Sequence, residues 1–212
     1  MIGWGLSSLR AAKTGKGVWL YEGADNLHPE EVVARAVSAT GGSCSWCEGG
    51  SINLLLKAAT LPVLAYRNPF NKRQDAIRRF LEAQLTILSA HGSELLDCSS
   101  AISPDELKSN IIEICTDAAI QKYYPRVKCD FVCDLANVIP VELRSQMLKK
   151  YLLRPYDYRA GWPDLTILSS DGLSLIEVKT TDQFHKSQLR FANEVAAPLG
   201  LKCSVVQVIS SI

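Results

Sequence analysis

The clearest structural pattern of the chain lies in residues 161–188, GWPDLTILSSDGLSLIEVKTTDQFHKSQ. Two short apolar runs, LTIL and LSLIEV, flank the turn sequence SSDG, a pattern typical of a β-hairpin. Because side chains alternate between the two faces of a strand, Asp164, Glu177 and Lys179 are expected on one face of this hairpin. The opposite face is predicted to carry the aliphatic residues Leu165, Ile167, Ile176 and Val178.

The turn of this hairpin can be placed in two ways. A turn centred on residues 170–171 puts Asp164 directly opposite Glu177, whereas a type I′ turn at 171–172 puts Asp164 opposite Lys179. Both registers bring the two carboxylates to within about 4.5–8 Å at Cβ, where they repel unless they are protonated or bridged by a cation. A hard divalent ion such as Mg²⁺ suits such oxygen ligands. Lys179 could then orient or deprotonate a metal-bound water, or hold a phosphate oxygen.

Helical periodicity and capping signals dominate the chain before residue 155. Helices are predicted at residues 29–41, 51–59 (ending near Pro62), 73–88, 104–123 and 141–153, with a later helix at 184–197. A valine-rich strand is predicted at 202–209. Several helices followed by a β-β-α-β order predict an α/β chain, with a small mixed β-sheet flanked by helices and an N-terminal helical part. Residues 1–28 are punctuated by glycine and are predicted to be irregular.

Composition narrows the class of protein. A chain of 212 residues with 47% apolar and 21% charged residues is typical of a globular protein with a sizeable core. Its net charge of +1 gives no general attraction for polyanions, so a nucleic-acid binder of this charge needs basic residues gathered locally. The sequence contains no apolar run long enough to span a membrane and no export signal, so a cytoplasmic location is expected.

The seven cysteines are most simply interpreted as reduced thiols. A C-x-x-C at Cys44 and Cys47 and a C-x-x-x-C at Cys129 and Cys133 leave open a structural zinc site, although the two pairs lie far apart in the sequence.

The motifs of the hairpin resemble the PD-(D/E)xK nuclease superfamily and, within it, the VRR-NUC family. That family carries a G-x-P-D-L stretch, a hairpin, E-V-K, then a loop with Asp and a helix bearing Gln. In this chain the motifs are GWPDL at residues 161–165 and EVK at residues 177–179, followed by Asp182 and Gln188. The resemblance implies a restriction-endonuclease-like PD-(D/E)xK core.

The resemblance extends upstream to the Fanconi-associated nuclease branch of the family. The C/H-x-E-G-S/T-like stretch of that branch is matched by CEGGS at residues 47–51, which implies Glu48 as a further metal ligand, with Glu94 or Glu113 as alternatives. The loop after Lys179 is one residue shorter than in the repair enzymes, so the DNA contacts made by that loop in the repair enzymes are not carried over to this chain.

The resemblance also implies a division of the chain. After the segment 1–28, residues 29–212 would form a single VRR-NUC-like nuclease domain. Its helical part would span 29–154, and its β-β-α-β catalytic core would span 155–210.

The chemistry that the resemblance implies is phosphodiester hydrolysis by a Mg²⁺- or Mn²⁺-activated water, with little sequence specificity and leaving 5′-phosphate and 3′-hydroxyl ends. The implied catalytic residues are Asp164, Glu177, Lys179 and Gln188. The implied metal ligands are Glu48, Asp164, Glu177 and the backbone carbonyl of Val178.

Basic residues cluster in the sequence around the motif, at Arg154, Arg159, Lys186 and Arg190. They are predicted to contact DNA phosphates, which predicts affinity that falls steeply with salt. Lys72, Arg73, Arg78 and Arg79 offer a second basic set.

Three functions follow as hypotheses. The first is a metal-dependent DNA nuclease, structure-selective and acting in repair or recombination. The second is an antibacterial DNase toxin, secreted by a dedicated system into a target cell's cytoplasm and neutralised by a cognate immunity protein. The third is a catalytically inactive nucleic-acid-binding module. DNA is the expected partner in all three.

Overall fold

The computed structural model describes residues 4–70 and 72–211, which fall into two compact units. The first unit joins the chain up to Gly49 with the chain from Gly161 onward, and the second unit is Gly50–Ala160. No helix in these described ranges is both long and apolar enough to cross a membrane.

The first unit contains a mixed sheet, which has seven strands within the described residues and the order β3-β2-β1-β7-β6-β5-β4. The strands are β1 (Gly5–Gly15), β2 (Val18–Tyr21), β3 (Ala24–Leu27), β4 (Ser43–Trp46), β5 (Leu165–Ser169), β6 (Gly172–Lys179) and β7 (Lys202–Ser210). The three central strands β1, β7 and β6 are parallel, and antiparallel pairs extend the sheet on both sides. The predicted hairpin and final strand are therefore present as β5, β6 and β7.

Most of the helices belong to the second unit. The chain forms α1 (Pro29–Ala39), α2 (Gly50–Tyr66), α3 (Arg73–Arg78), α4 (Leu81–Ile87), α5 (Gly92–Ala101), α6 (Pro104–Thr116), α7 (Ala118–Tyr123), α8 (Cys129–Val138), α9 (Val141–Leu153), α10 (Pro155–Tyr158) and α11 (Lys186–Phe191). A π-helical turn, Ala192–Ala196, continues α11. The predicted helices at 29–41 and 141–153 correspond closely to α1 and α9.

The prediction that residues 1–28 are irregular is wrong for the described part, residues 4–28, which contains β1, β2 and β3. Residues 1–3 lie outside the described chain. β1 pairs in parallel with β7 over the whole register from Gly5↔Ser204 to Ala11↔Ser210. The sequence of β1 has few β-branched residues, so its strand conformation depends on a partner at the other end of the chain, which local propensity does not reveal.

The core of the first unit lies between α1 and one face of the sheet. Val32 and Val33 of α1 are buried in the same cluster as Leu165, Ile167 and Val178 of the hairpin. The aliphatic face predicted for the hairpin is therefore the face against the core. Ala11, Trp19, Leu27 and Val208 complete this cluster.

Helix α2 continues through Pro62, where the sequence predicted its end. Proline has no N–H to donate to the carbonyl four residues earlier, which here belongs to Ala58. The side-chain amide of Asn110 donates to this carbonyl at 3.0 Å instead. A contact from another helix thus replaces the missing bond, and the helix runs on to Tyr66.

The single helix predicted at 73–88 is interrupted at Arg79 and Phe80, which separates α3 from α4. The buried ammonium of Lys57 donates to the carbonyls of Ile77 and Arg79, which the break leaves free of helical partners. The break is therefore stabilised by Lys57, which lies 20 positions before Ile77 in the sequence.

The single helix predicted at 104–123 is likewise divided, at Asp117. Its carboxylate accepts hydrogen bonds from the N–H groups of Ala119 and Ile120, so it acts as the N-cap of α7. Four further elements had not been predicted: β4, α5, α8 and α10.

Candidate active site

The GWPD stretch enters the hairpin through a tight backbone approach. Gly161 has φ +85°, and a Cβ at this position would lie 2.2 Å from the carbonyl oxygen of Ser187, in the first turn of α11. Trp162 is buried, and its ring centroid lies 4.5 Å from that of Phe191. A Cβ on Gly49 would lie 2.4 Å from Trp162. These contacts require glycine and fix the chain just before Asp164.

The register of the hairpin is the first of the two predicted alternatives. Leu165 pairs with Ile176 and Ser169 pairs with Gly172, so the turn is centred on Ser170–Asp171. Continuing this register by one residue places Asp164 opposite Glu177. The backbone N–H of Val178 donates to Oδ2 of Asp164 at 2.8 Å.

Glu177 is buried, with only 1% of its surface exposed. Its Oε1 accepts hydrogen bonds from the side-chain amide of Gln188 at 2.6 Å and from the ammonium of Lys179 at 2.9 Å. Its Oε2 is buried and has no hydrogen-bond partner among the described residues. An ionised carboxylate oxygen without a partner is costly in the protein interior, so this atom marks a place for a donor or a cation.

The protonation of the two carboxyls depends first on their burial and then on the charged groups around them. Burial, and after it the charge of Glu177, raises the pKa of Asp164 to about 7, although the hydrogen bond from Val178 acts in the opposite direction. Burial also raises the pKa of Glu177, against the hydrogen bond and the charge of Lys179. Near neutral pH, the pair is therefore more stable with a shared proton or a bound cation than with two bare charges.

Lys179 is almost as buried as Glu177, with 7% of its surface exposed. Besides Glu177, its ammonium contacts Oδ2 of Asp182 at 2.9 Å and Oε1 of Gln188 at 3.4 Å. Burial opposes the charged form, but the hydrogen bonds to Glu177 and Asp182 prevail and raise the pKa of Lys179. The side chain is therefore an ammonium at neutral pH, which suits it to neutralise or orient an anion and not to accept a proton.

These side chains line one cavity of about 400 Å³ in the first unit. Its walls include all the residues predicted as catalytic or as metal ligands: Glu48, Asp164, Glu177, Val178, Lys179 and Gln188. The structure thus brings together a set that the sequence spreads over 141 positions, from residue 48 to residue 188.

Glu48 enters the cavity from the loop between β4 and α2. It has a positive φ of 47°, and its backbone N–H donates to the carbonyl oxygen of Asp164 at 3.4 Å. The alternatives Glu94 and Glu113 belong to the second unit, where they form ion pairs with Arg67 and Arg73.

Glu30, in the first turn of α1, is an acidic residue of the cavity wall that was not predicted as a site residue. Its charge contributes to the raised pKa of Asp164, as does that of Glu48. Acids are common in the first turn of any helix, so the sequence offered no means of separating this one from Glu31.

The predicted DNA-contacting residues are divided between the two units. Lys186 and Arg190 lie on α11 of the first unit, whereas Arg154 and Arg159 lie at the ends of α9 and α10 in the second. Arg159 forms an ion pair with Glu82 at 2.6 Å. In the second basic set, Arg73, Arg78 and Arg79 are paired with Glu113, Asp117 and Asp75.

A divalent metal ion fits the chemistry of the cavity. No group of three or more His, Cys, Asp or Glu side chains is assembled around one metal position in residues 4–70 and 72–211. Mg²⁺, however, binds through one or two carboxylates and keeps several waters. The raised pKa of Asp164 and the unpartnered Oε2 of Glu177 are the features that such an ion would compensate. None of the seven cysteines, all of which lie in the described ranges, forms a disulfide.

Two crystal structures of paFAN1, bound to DNA with a two-nucleotide and with a one-nucleotide 5′ flap and a gap, are similar to this chain. Their TM-scores are 0.66 and 0.59, at 16% and 17% sequence identity. The chain shares the fold of the matched part of paFAN1. The match covers 99% of this chain but only 38% of the paFAN1 chain. No family model and no curated protein matches the sequence. The predicted α/β fold class, a mixed sheet flanked by helices, is confirmed, and the predicted likeness to the Fanconi-associated branch is confirmed at the level of the fold.

Proposed function

We propose that the chain is a metal-dependent DNA nuclease that hydrolyses phosphodiester bonds. The observation that carries the proposal is the buried Glu177, which shares one cavity with Asp164 and has one carboxylate oxygen without a partner among the described residues. The shared fold with a protein crystallised on flap DNA supports DNA as the substrate. The match covers only 38% of that protein, so the shared fold does not carry its preference for a DNA structure to this chain. We therefore propose preference for flaps over plain duplex separately from nuclease activity.

The residues that would hold Mg²⁺ or Mn²⁺ are Asp164, Glu177, the backbone carbonyl of Val178, and Glu48 from the neighbouring loop. When bound, such an ion supplies charge to polarise a phosphate oxygen and lowers the pKa of a bound water. The hydrogen bond from the Val178 N–H holds the Asp164 carboxylate in place, so its orientation does not depend on the ion.

Lys179 would provide a fixed positive charge beside the carboxylates. Its raised pKa keeps it protonated at neutral pH, so its role is to neutralise a phosphate oxygen or orient the attacking water. Gln188 contacts both Glu177 and Lys179 and therefore sets the geometry between acid and cation.

The test is cleavage of plasmid, 5′-flap, four-way-junction and plain duplex DNA, with and without Mg²⁺ or Mn²⁺. We expect metal-dependent cleavage by the wild type and loss of cleavage in Glu177→Ala and Lys179→Ala, with both variants folded. Asp171→Ala, in the exposed turn of the same hairpin, is the matched control and should cleave normally. Full activity in Glu177→Ala would refute the proposal.

The toxin role, its immunity protein and the cellular location stay predictions. Expression of the chain alone in a bacterium separates the two biological roles, because a toxin without its immunity protein arrests growth whereas a repair enzyme is tolerated.

A further inference from the structure

An aromatic side chain lies against the ammonium of Lys179. Its Nζ is 5.3 Å from the ring centroid of Phe184, inside the range of a cation–π contact. The same ammonium is bound on its polar side by Glu177, Asp182 and Gln188. Lys179 is therefore enclosed by three polar partners and one ring.

The ring of Phe184 is itself supported by Trp4, the residue immediately before β1. Their ring centroids lie 6.0 Å apart at an interplanar angle of 77°, an edge-to-face arrangement. β1 is paired with β7 beginning at Gly5↔Ser204, and β7 is paired with β6 as far as Lys179↔Gln207. Trp4 and Lys179 are thus connected both through the sheet and through Phe184.

The loop that carries Phe184 is fixed at both ends. The side chain of Gln207 donates to the carbonyl of Thr180 at 3.0 Å, and the N–H of His185 donates to Oε1 of Gln188 at 2.9 Å. The ring therefore has a defined position relative to the lysine.

We propose that Phe184 is a positioning residue for Lys179 and that Trp4 holds Phe184 in place. The inference rests on the proposed nuclease function. A lysine side chain has four rotatable bonds, and Asp182, which is half exposed, competes with Glu177 for its ammonium. A ring packed against the ammonium disfavours rotamers that turn it away from Glu177 or toward water. Trp4, which belongs to the N-terminal segment and lies outside the motif that defines the site, would thereby contribute to catalysis through Phe184.

The test compares Phe184→Leu, Phe184→Tyr and Trp4→Leu. Leucine keeps the apolar bulk but removes the π face, whereas tyrosine keeps that face. Phe70→Leu is the matched control, because it removes an exposed ring that lies 4.9 Å from the guanidinium of Arg79 in the second unit. The single-turnover cleavage rate is measured for each variant, and DNA affinity is measured for each in a Glu177→Gln background that does not cleave.

We expect Phe184→Leu to slow the single-turnover rate by about threefold to thirtyfold, the range that corresponds to a cation–π contact. Its DNA affinity and thermal midpoint should stay unchanged. Phe184→Tyr should restore most of the rate, Trp4→Leu should give an intermediate loss, and Phe70→Leu should behave as wild type.

A second readout does not depend on activity. The ring current of Phe184 should shift the ε-methylene protons of Lys179 upfield in the NMR spectrum of the free protein, and the shift should disappear in Phe184→Leu. An unshifted resonance in the wild type would overturn the inference.

The outcomes separate the two proposals. A wild type that cleaves no DNA would overturn both. A wild type that cleaves, with Phe184→Leu cleaving at the same rate, would overturn only the positioning role. A loss of DNA affinity in Phe184→Leu at an unchanged rate would also overturn it, because the ring would then be a substrate contact.

Discussion

The backbone N–H of Val178 donates a hydrogen bond of 2.8 Å to Oδ2 of Asp164, and the next residue back along the same strand is Glu177. The bond holds the carboxylate of Asp164, the residue just before β5, beside that of Glu177 on β6. Both lie in a cavity where burial raises their pKa values. The fold therefore maintains an electrostatic conflict that a divalent cation would relieve, and this conflict determines how the site should respond to mutation and to pH.

Asp164→Asn should abolish activity without unfolding the protein. The amide oxygen can still accept the hydrogen bond from Val178, and the repulsion with Glu177 disappears, so the thermal midpoint in the absence of metal should equal or exceed that of the wild type. Cleavage should fall by at least about a hundredfold, because a charged oxygen ligand is lost. Thermal unfolding and metal-dependent cleavage measure the two effects. Asp171→Asn in the exposed turn is the control, and a large loss of stability in Asp164→Asn alone would contradict the prediction.

The contribution of Asp164 to stability without metal should fall as pH rises from about 4 to about 7. The pKa of Asp164 is about 7 in the folded protein and near 3.8 in the unfolded chain, so the folded state binds the extra proton. This contribution to stability is complete below pH 4 and is lost as pH rises through 7; the raised pKa of Glu177 acts in the same direction. Denaturant unfolding of wild type and Asp164→Asn across this range measures the difference.

Mg²⁺ should reverse this trend, because it binds the deprotonated carboxylates of the folded state. The rise in thermal midpoint on adding Mg²⁺ should be larger at pH 8 than at pH 5, and it should be reduced in Asp164→Asn. An equal rise at both pH values would argue against a site made of these carboxylates.

Gln188→Met should slow cleavage while leaving the fold intact. The variant keeps the length of the side chain but removes the donor to Glu177 and the acceptor for Lys179. Loss of a partner that orients a metal ligand typically costs about tenfold to a hundredfold in activity or metal affinity. Single-turnover cleavage measures the effect, with the exposed neighbour Gln183→Met as the control. Equal rates in the two variants would show that Gln188 has no part in the geometry.

Gly161→Ala should destabilise the protein more than Gly172→Ala. Both glycines have a positive φ, of 85° and 90°, which costs a substituted alanine about 1–2 kcal/mol. Only at Gly161 would the added Cβ also meet backbone, at 2.2 Å from the oxygen of Ser187, and such overpacking adds about 1–3 kcal/mol. Chemical denaturation gives the free energy of unfolding of both variants. The difference between the two losses measures the cost of the contact with Ser187, because both variants share the cost of the positive φ. Equal losses of stability would mean that α11 moves away at little cost.

Part of this site could be predicted from local sequence. The alternation of LTIL and LSLIEV predicted that Asp164, Glu177 and Lys179 share one face, and the register of the hairpin, continued by one residue, places Asp164 opposite Glu177. The resemblance to the VRR-NUC family implied Gln188 as a further site residue, and its side chain contacts Glu177 and Lys179. These residues lie within 25 positions of one another, where strand geometry and one turn leave few arrangements.

Other features depend on residues that are distant in sequence. The interruption between α3 and α4 is held by Lys57, and α2 passes through Pro62 because Asn110 satisfies the carbonyl of Ala58. Residue propensity predicted one continuous helix at 73–88 and a helix end near Pro62. Hydrogen bonds from other helices instead stabilise the break at Arg79 and Phe80 and the continuation of α2 through Pro62.

The hairpin, the positions of its acids and lysine, and the helices α1 and α9 follow from local sequence, because periodicity and capping are local properties of the chain. Long-range contacts are needed for residues 4–28 to extend the sheet, for Glu30 and Glu48 to reach the cavity, and for Trp4 to support Phe184 beside Lys179. Backbone hydrogen bonds between strands and the burial of apolar faces are satisfied by partners far away in the chain, and the identity of those partners is set by packing and not by local pattern.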